Sequence, residues 1–319
     1  MNYRSQKIVI FFHKFGLIIV LAIMCIFVGV LSPSFFTATN VLNVFRQVSM
    51  NEILAVGMTF VILTGNIDIS VGSLVAVAGV IAGSFLEKNP SISGMWIAVL
   101  AAIIVCMFLG IISGIMVAQF DVPLMIATLS MMTIARGIAL VYSDGQPYIL
   151  NSDSFAMLGK GSVGFFPIPA LIFIFTWLVF WILLNKTTYG RKIYAIGGNR
   201  KAAEASGINC KKSLVSVFAI SGALAGLSGV VLASRIGSGN PSIASGYEMD
   251  AIAACVIGGT STLGGSGKLS GTLIGGLIIG LISNSLSLLN VNSYWQQIVK
   301  GLIIAIAVII DTGVKNRSK

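Results

Sequence analysis

The sequence predicts an all-α fold: a polytopic transmembrane helix bundle of about ten helices, with short Gly-rich broken segments and both termini cytoplasmic. Three observations predict it. The chain is 56% hydrophobic and only 9% charged, against about 25% charged in a soluble domain, so its solvent is a lipid bilayer and not water. Its apolar residues gather into runs near the length of about 20 that a helix needs to cross a bilayer. Its basic residues fall in alternate loops.

The runs come in order. Residues 15–31 follow Arg4, Lys7 and Lys14. That run is long for a signal peptide and no A-x-A-like site follows, so it reads as a retained first helix. Runs at 44–63, 70–86, 94–118, 123–142 and 167–185 come next, then 214–235, 248–259, 269–289 and 294–311, ten in all. The eighth, 248–259, is too short to cross alone unless polar neighbours extend it inside protein. Small-residue pairs four apart (Gly110/Gly114, Gly222/Gly226, Gly271/Gly275 and Gly276/Gly280) predict closely packed helices.

Loop charge orients the bundle. With the N-terminus inside, Arg4, Lys7, Lys14, Lys186, Arg191, Lys192, Arg200, Lys201, Lys211, Lys212, Lys268, Lys315, Arg317 and Lys319 are cytoplasmic, 14 of the 20 Lys and Arg. The external loops hold little more than Lys88 and Lys160. Both ends carry the cationic signature, which requires an even number of crossings. The net charge of +10 is therefore a topology signal, and no nucleic acid is expected as a partner. Residues 143–166, rich in Gly, Ser, Asn and Asp, form an external loop; the basic stretch 186–213 is cytoplasmic. Within the latter, NRKAAEASG reads as a short surface helix capped by Asn199 and ended by Gly207.

Several chemistries are excluded. Cys25, Cys106, Cys210 and Cys255 form no CxxC or Cys/His pattern, so neither a disulfide framework nor a metal site is expected. His13 is the one histidine, and Glu52, Asp68 and Asp250 form no local motif, which leaves an intramembrane enzyme without a catalytic set. GGSGKLSG (264–271) imitates a phosphate loop. Thr262 stands where its first Gly belongs, and Leu269 where the Mg²⁺-binding hydroxyl belongs, so no nucleotide cofactor is expected here.

Two breaks carry the functional expectations. TGNIDISVGS (64–73) separates two apolar runs, and irregular backbone at membrane depth survives only inside protein or against a wet cavity. Asn66, Asp68 and Ser70 are therefore candidates for a translocation pathway. An ordinary cytoplasmic turn, with Asp68 capping the next helix, gives the same pattern. GGTSTLGGSGK (258–268) is a similar break and adds Thr260 and Ser261. Arg136, in the middle of its run, needs an acid partner, with Glu52 and Asp68 as candidates, and reads either as a pathway residue or as a structural pair. Asn284, with neighbouring hydroxyls, offers hydrogen bonds without net charge, which suits a neutral polyhydroxyl solute better than an ion.

Four long segments carry a family resemblance: 50–74, 127–147, 189–208 and 246–301. In order, they resemble the permease subunits of monosaccharide ABC importers, over about residues 30–311. The resemblance implies that residues 1–319 form a single transmembrane permease domain in the plasma (inner) membrane of a prokaryote. It implies a second permease copy, a separate cytoplasmic ABC ATPase, an extracytoplasmic sugar-binding protein and a monosaccharide substrate, ribose first, with allose, xylose, galactose or autoinducer-2 as alternatives. It also implies that Asn199, Arg200, Ala203, Glu204 and Gly207 form a coupling helix docking into the ATPase. The family often has Gly-Gly or Ser-Gly where Gly65–Asn66 stands here. A self-contained secondary carrier remains the competing function.

Overall fold

The computed structural model describes residues 3–316, and they form thirteen helices. These are α1 (Tyr3–Leu31), α2 (Ala38–Leu63), α3 (Val71–Lys88), α4 (Ile92–Ala118), α5 (Leu124–Tyr142), α6 (Asp153–Lys160) and α7 (Ile168–Lys186). Then follow α8 (Thr188–Gly198), α9 (Arg200–Ala205), α10 (Cys210–Ile236), α11 (Tyr247–Ile257), α12 (Leu269–Leu288) and α13 (Ser293–Asn316). Each of the ten apolar runs lies on a helix. Six of these helices, α3, α4, α5, α7, α10 and α12, are long and apolar enough to cross a membrane alone. Arg317 and Lys319, expected in the cytoplasm, lie outside the described residues.

The core is built on α2, α3, α4 and α10, whose facing side chains (among them Met58, Leu74, Cys106 and Ala225) are buried. The glycine pairs explain how the backbones come so close. A Cβ added at Gly110 would lie 2.4 Å from the Phe218 carbonyl oxygen on α10, and one at Gly222 would lie 2.3 Å from that of Cys106 on α4. Gly275 meets Ala254 of α11 in the same way, and Gly280 meets Val48 of α2. In lipid, where apolar burial drives little association between helices, this dispersion contact is what holds them. Large apolar side chains such as Phe108, Phe175 and Ile174 remain on the outside, as a lipid-facing surface requires.

The loop between α5 and α7 is anchored to the core. Tyr148–Ile149 pairs antiparallel with Ser238–Gly239, and α6 buries Phe155 fully against the bundle. Between α8 and α9, the Asn199 side chain accepts from the Ala202 N–H at 3.1 Å. Gly207, at φ +82°, closes α9, with its N–H on the Glu204 carbonyl. The expected surface helix is present, with its expected caps.

Candidate functional site

The first break in the sequence becomes re-entrant structure. After Leu63 the chain does not remain at the end of α2. Asp68 returns to accept from the Ser221 hydroxyl at 2.8 Å, and Ser221 lies beside Gly57. Gly57 is six residues back along α2, so the break climbs about 9 Å into the bundle before α3 begins. Asp68 is fully buried and also accepts from the Ser70 N–H (3.0 Å) and the Ser70 hydroxyl (2.5 Å). It thus closes a turn ahead of α3 and ties that turn to α10. Asn66 is half-buried and donates to Thr64 Oγ1 at 2.9 Å.

The eighth run becomes a half-helix. From the end of α10, the chain descends along α3: Gly239 packs on Gly79, and the Ala244 carbonyl on Gly72, about 10 Å nearer the start of α3. There α11 starts, with 11 residues, about 16 Å long and roughly half the hydrocarbon thickness. Irregular backbone at this depth needs internal partners. Arg136 supplies them, its Nη1 donating to the carbonyls of Pro241 (2.6 Å) and Ile243 (2.9 Å).

This corrects the expected partners of Arg136. Asp68 is occupied by Ser70 and Ser221, and Glu52, buried on α2, has neither oxygen hydrogen-bonded among the described residues. Main-chain oxygens take the guanidinium, and Glu248 of α11 faces it across a cleft of about 370 Å³ that Ser73, Thr133 and Ser245 also line. A broken helix whose first residues meet a cleft bearing Arg136 and Glu248 is an arrangement transporters use to handle a solute. Arg136→Met would remove the single nitrogen, Nη1, that donates to both carbonyls. The expected result is faster amide hydrogen exchange across 240–247, with a stability loss of about 1–3 kcal/mol on thermal unfolding in detergent.

The two breaks meet each other just past the end of α2, together with the end of α8. The Gly265 N–H donates to the Leu63 carbonyl at 2.9 Å. A Cβ on Gly264 would lie 2.7 Å from the Gly65 nitrogen, and one on Gly265 would lie 2.8 Å from Gly198 Cα. Gly65, Gly264 and Gly265 all have positive φ (+76°, +85° and +72°), so backbone shape and close approach both demand glycine. Tyr194 of α8 adds a bond to the Gly267 carbonyl at 2.8 Å. Burial pushes its phenol above the usual value, so it stays a donor at neutral pH. The result is a backbone clasp one residue before Asn199 and α9.

The other expected residues distribute unevenly. Thr260 and Ser261 are buried in the second break, beside the clasp, where the Ser261 hydroxyl accepts from the Leu263 N–H. Asn284 is elsewhere: it exchanges hydrogen bonds of 2.9 and 3.2 Å with Asn40, between α12 and α2. On α9, Ala203 is buried, while Arg200 and Glu204 form an exposed ion pair at 3.1 Å. Sequence reasoning passed over Glu248 and Ser245; the one signal available was an acid in the first turn of a run too short to cross.

The profile of the family described as branched-chain amino acid transport system / permease component matches residues 40–308. The ribose import permease protein of Haemophilus influenzae is 46% identical over 92% of this chain and 91% of its own length. That of Bacillus subtilis is 43% identical over 94% and 92%. The D-allose transport system permease protein of Escherichia coli is 38% identical over 95% and 92%. No solved structure matches the chain.

Proposed function

This chain belongs to the branched-chain amino acid transport system permease family, and from that membership we propose that it is the membrane permease of a ribose ABC importer. It is a multi-pass protein of the bacterial inner membrane and carries sugar unchanged. The single observation that carries the substrate is the near-full-length likeness to ribose import permeases, which exceeds that to the L-arabinose and D-allose permeases. Its partners are a cytoplasmic ATPase, an extracytoplasmic sugar-binding protein and a second permease copy.

The geometry supports a division of labour. Helix α9 presents Arg200 and Glu204 to the cytoplasm, where an ATPase groove would receive them and Ala203 keeps the helix seated on its own protein. The clasp joins that helix to both breaks. The pathway would run along α11 and the break at 64–70, past Asn66, Asp68, Ser70, Arg136, Thr260 and Ser261, with Asn284 at its edge. ATP binding on the partner would shift the population between outward-open and inward-open forms.

Reconstitution tests this reading. Vesicles holding the permease, its ATPase and its binding protein should accumulate ribose only with ATP; no uptake with all three present overturns it. Deleting 199–207 should abolish uptake, and uptake that survives the deletion would favour a self-contained carrier. A gentler probe is Arg200→Glu. The exposed pair contributes only about 0.3–0.5 kcal/mol, so melting should hold while co-purification with the ATPase drops.

A further inference from the structure

A second cleft, of about 780 Å³, lies between α11 and α13. Its wall sets a cluster of polar groups beside the apolar side chains of Met249, Ile304 and Ala305. Asp250, in the first turn of α11, accepts from Lys300 of α13 at 2.8 Å, and Gln296, Gln297, Ser245 and Tyr247 line the same space. The Asp250 residue is nearly buried at 5% exposure, yet its Oδ1 takes no hydrogen bond among the described residues. The Gln297 amide is exposed and likewise has none. Because α11 begins inside the bundle, these groups stand at membrane depth, where charged side chains are costly and mark solute paths.

The pair has a specific chemistry. A carboxylate and an ammonium in contact are neutral together, so the cleft selects neither cations nor anions. They place an acceptor and a donor side by side, the complement of adjacent hydroxyls, each of which both donates and accepts. Lys300 spends one N–H on Asp250 and keeps two. Gln297 offers a further donor and acceptor, and the Tyr247 ring an apolar wall for C–H groups. The volume falls in the range of small-molecule sites, about 300–1,000 Å³. We propose that the α11–α13 cleft is a transit subsite for a neutral polyol, in which Asp250 and Lys300 bind adjacent sugar hydroxyls. This rests on the ribose-permease reading and names the residues that would touch the sugar within the membrane. A pair that merely fastens α13 to α11 would have no need of water or sugar beside it.

Two measurements on the reconstituted complex test it. The first uses Gln297→Cys and Ile298→Cys, each in a Cys25→Ser background because the other three cysteines are buried. Ile298 points away from the cleft and is half exposed on the outer face of α13. A charged thiol reagent attacks thiolates in water, so Gln297→Cys should react roughly tenfold faster or more, and ribose should slow it. The second uses Asp250→Leu/Lys300→Met, which removes both charges together and avoids stranding one. Ribose uptake should fall about tenfold or more, the cost of lost hydrogen bonds to charged groups, while ATP hydrolysis stimulated by the binding protein stays within about twofold. Equal labelling of the two cysteines, or wild-type uptake by the double variant, overturns the subsite while leaving the permease standing. If the double variant does not reach the membrane, the labelling alone decides. Wild-type protein that imports no sugar at all overturns the permease reading instead.

Discussion

Gly197→Ala is expected to reduce ribose uptake by about 5- to 150-fold, the range of a coupling free energy of about 1–3 kcal/mol, while Gly198→Ala is expected to change it little. The two residues are neighbours at the end of α8, and neither has positive φ. Their surroundings differ. A Cβ at Gly197 would lie 1.8 Å from the Leu63 carbonyl oxygen and 2.5 Å from the Gly265 nitrogen, whereas one at Gly198 would meet nothing within 4 Å. Both obstructing atoms are backbone, so no side chain can swing aside. The methyl must open the bond between Gly265 and Leu63, which joins the first break to the second. In the proposed mechanism that bond carries the movement of α9 into the membrane. The measurement is uptake against ATP hydrolysis in proteoliposomes: Gly197→Ala should hydrolyse ATP without matching uptake. Equal uptake by the two variants would sink the idea that the clasp transmits anything.

Asp68→Leu is expected to lower stability by about 3–5 kcal/mol, the largest effect foreseen for a single side chain here. Leucine repeats the branched shape of aspartate without its acceptors, and its bulkier methyls add overpacking to the loss of the hydrogen bonds. Three donors converge on the carboxylate: the Ser70 N–H, the Ser70 hydroxyl and the Ser221 hydroxyl. All three are buried with it, so removing the acceptor leaves them without water or protein partners. Ser221→Ala removes one donor and leaves the turn intact, and should cost about 1 kcal/mol. Thermal unfolding in detergent measures both, and a double-mutant cycle isolates their coupling. Coupling near zero would mean that Asp68 serves only its local turn.

The alternatives left open at Asp68 are both partly present in its geometry. It does close a turn ahead of α3, as a capping residue would. It also reaches 153 residues along the chain to α10, which a cap alone would not do. Arg136 shows a different limit. Its burial was legible, since a cation within an apolar run must find a partner. The partner was not, because the carbonyls of Pro241 and Ile243 belong to every residue type and leave no trace in composition. Asn284 was read as polar and inward, and it is inward, paired with Asn40; a polar residue on a buried face has the same sequence signature whether it meets a solute or another helix.

By itself the sequence determined the helix order, the short surface helix 200–205 and the family. The first two follow from local rules: a bilayer demands a minimum apolar length, and caps act within a turn. Only the tertiary structure decided that the eighth run is a half-helix starting within the bundle, that Glu248 faces Arg136, and that Gly65, Gly197, Gly264 and Gly265 meet in one clasp. Those facts depend on contacts between segments far apart in the chain, from Gly197 with Gly265 to Gly65 with Gly264. Glycine, the residue that permits the closest of them, contributes no side chain whose chemistry could announce its partner.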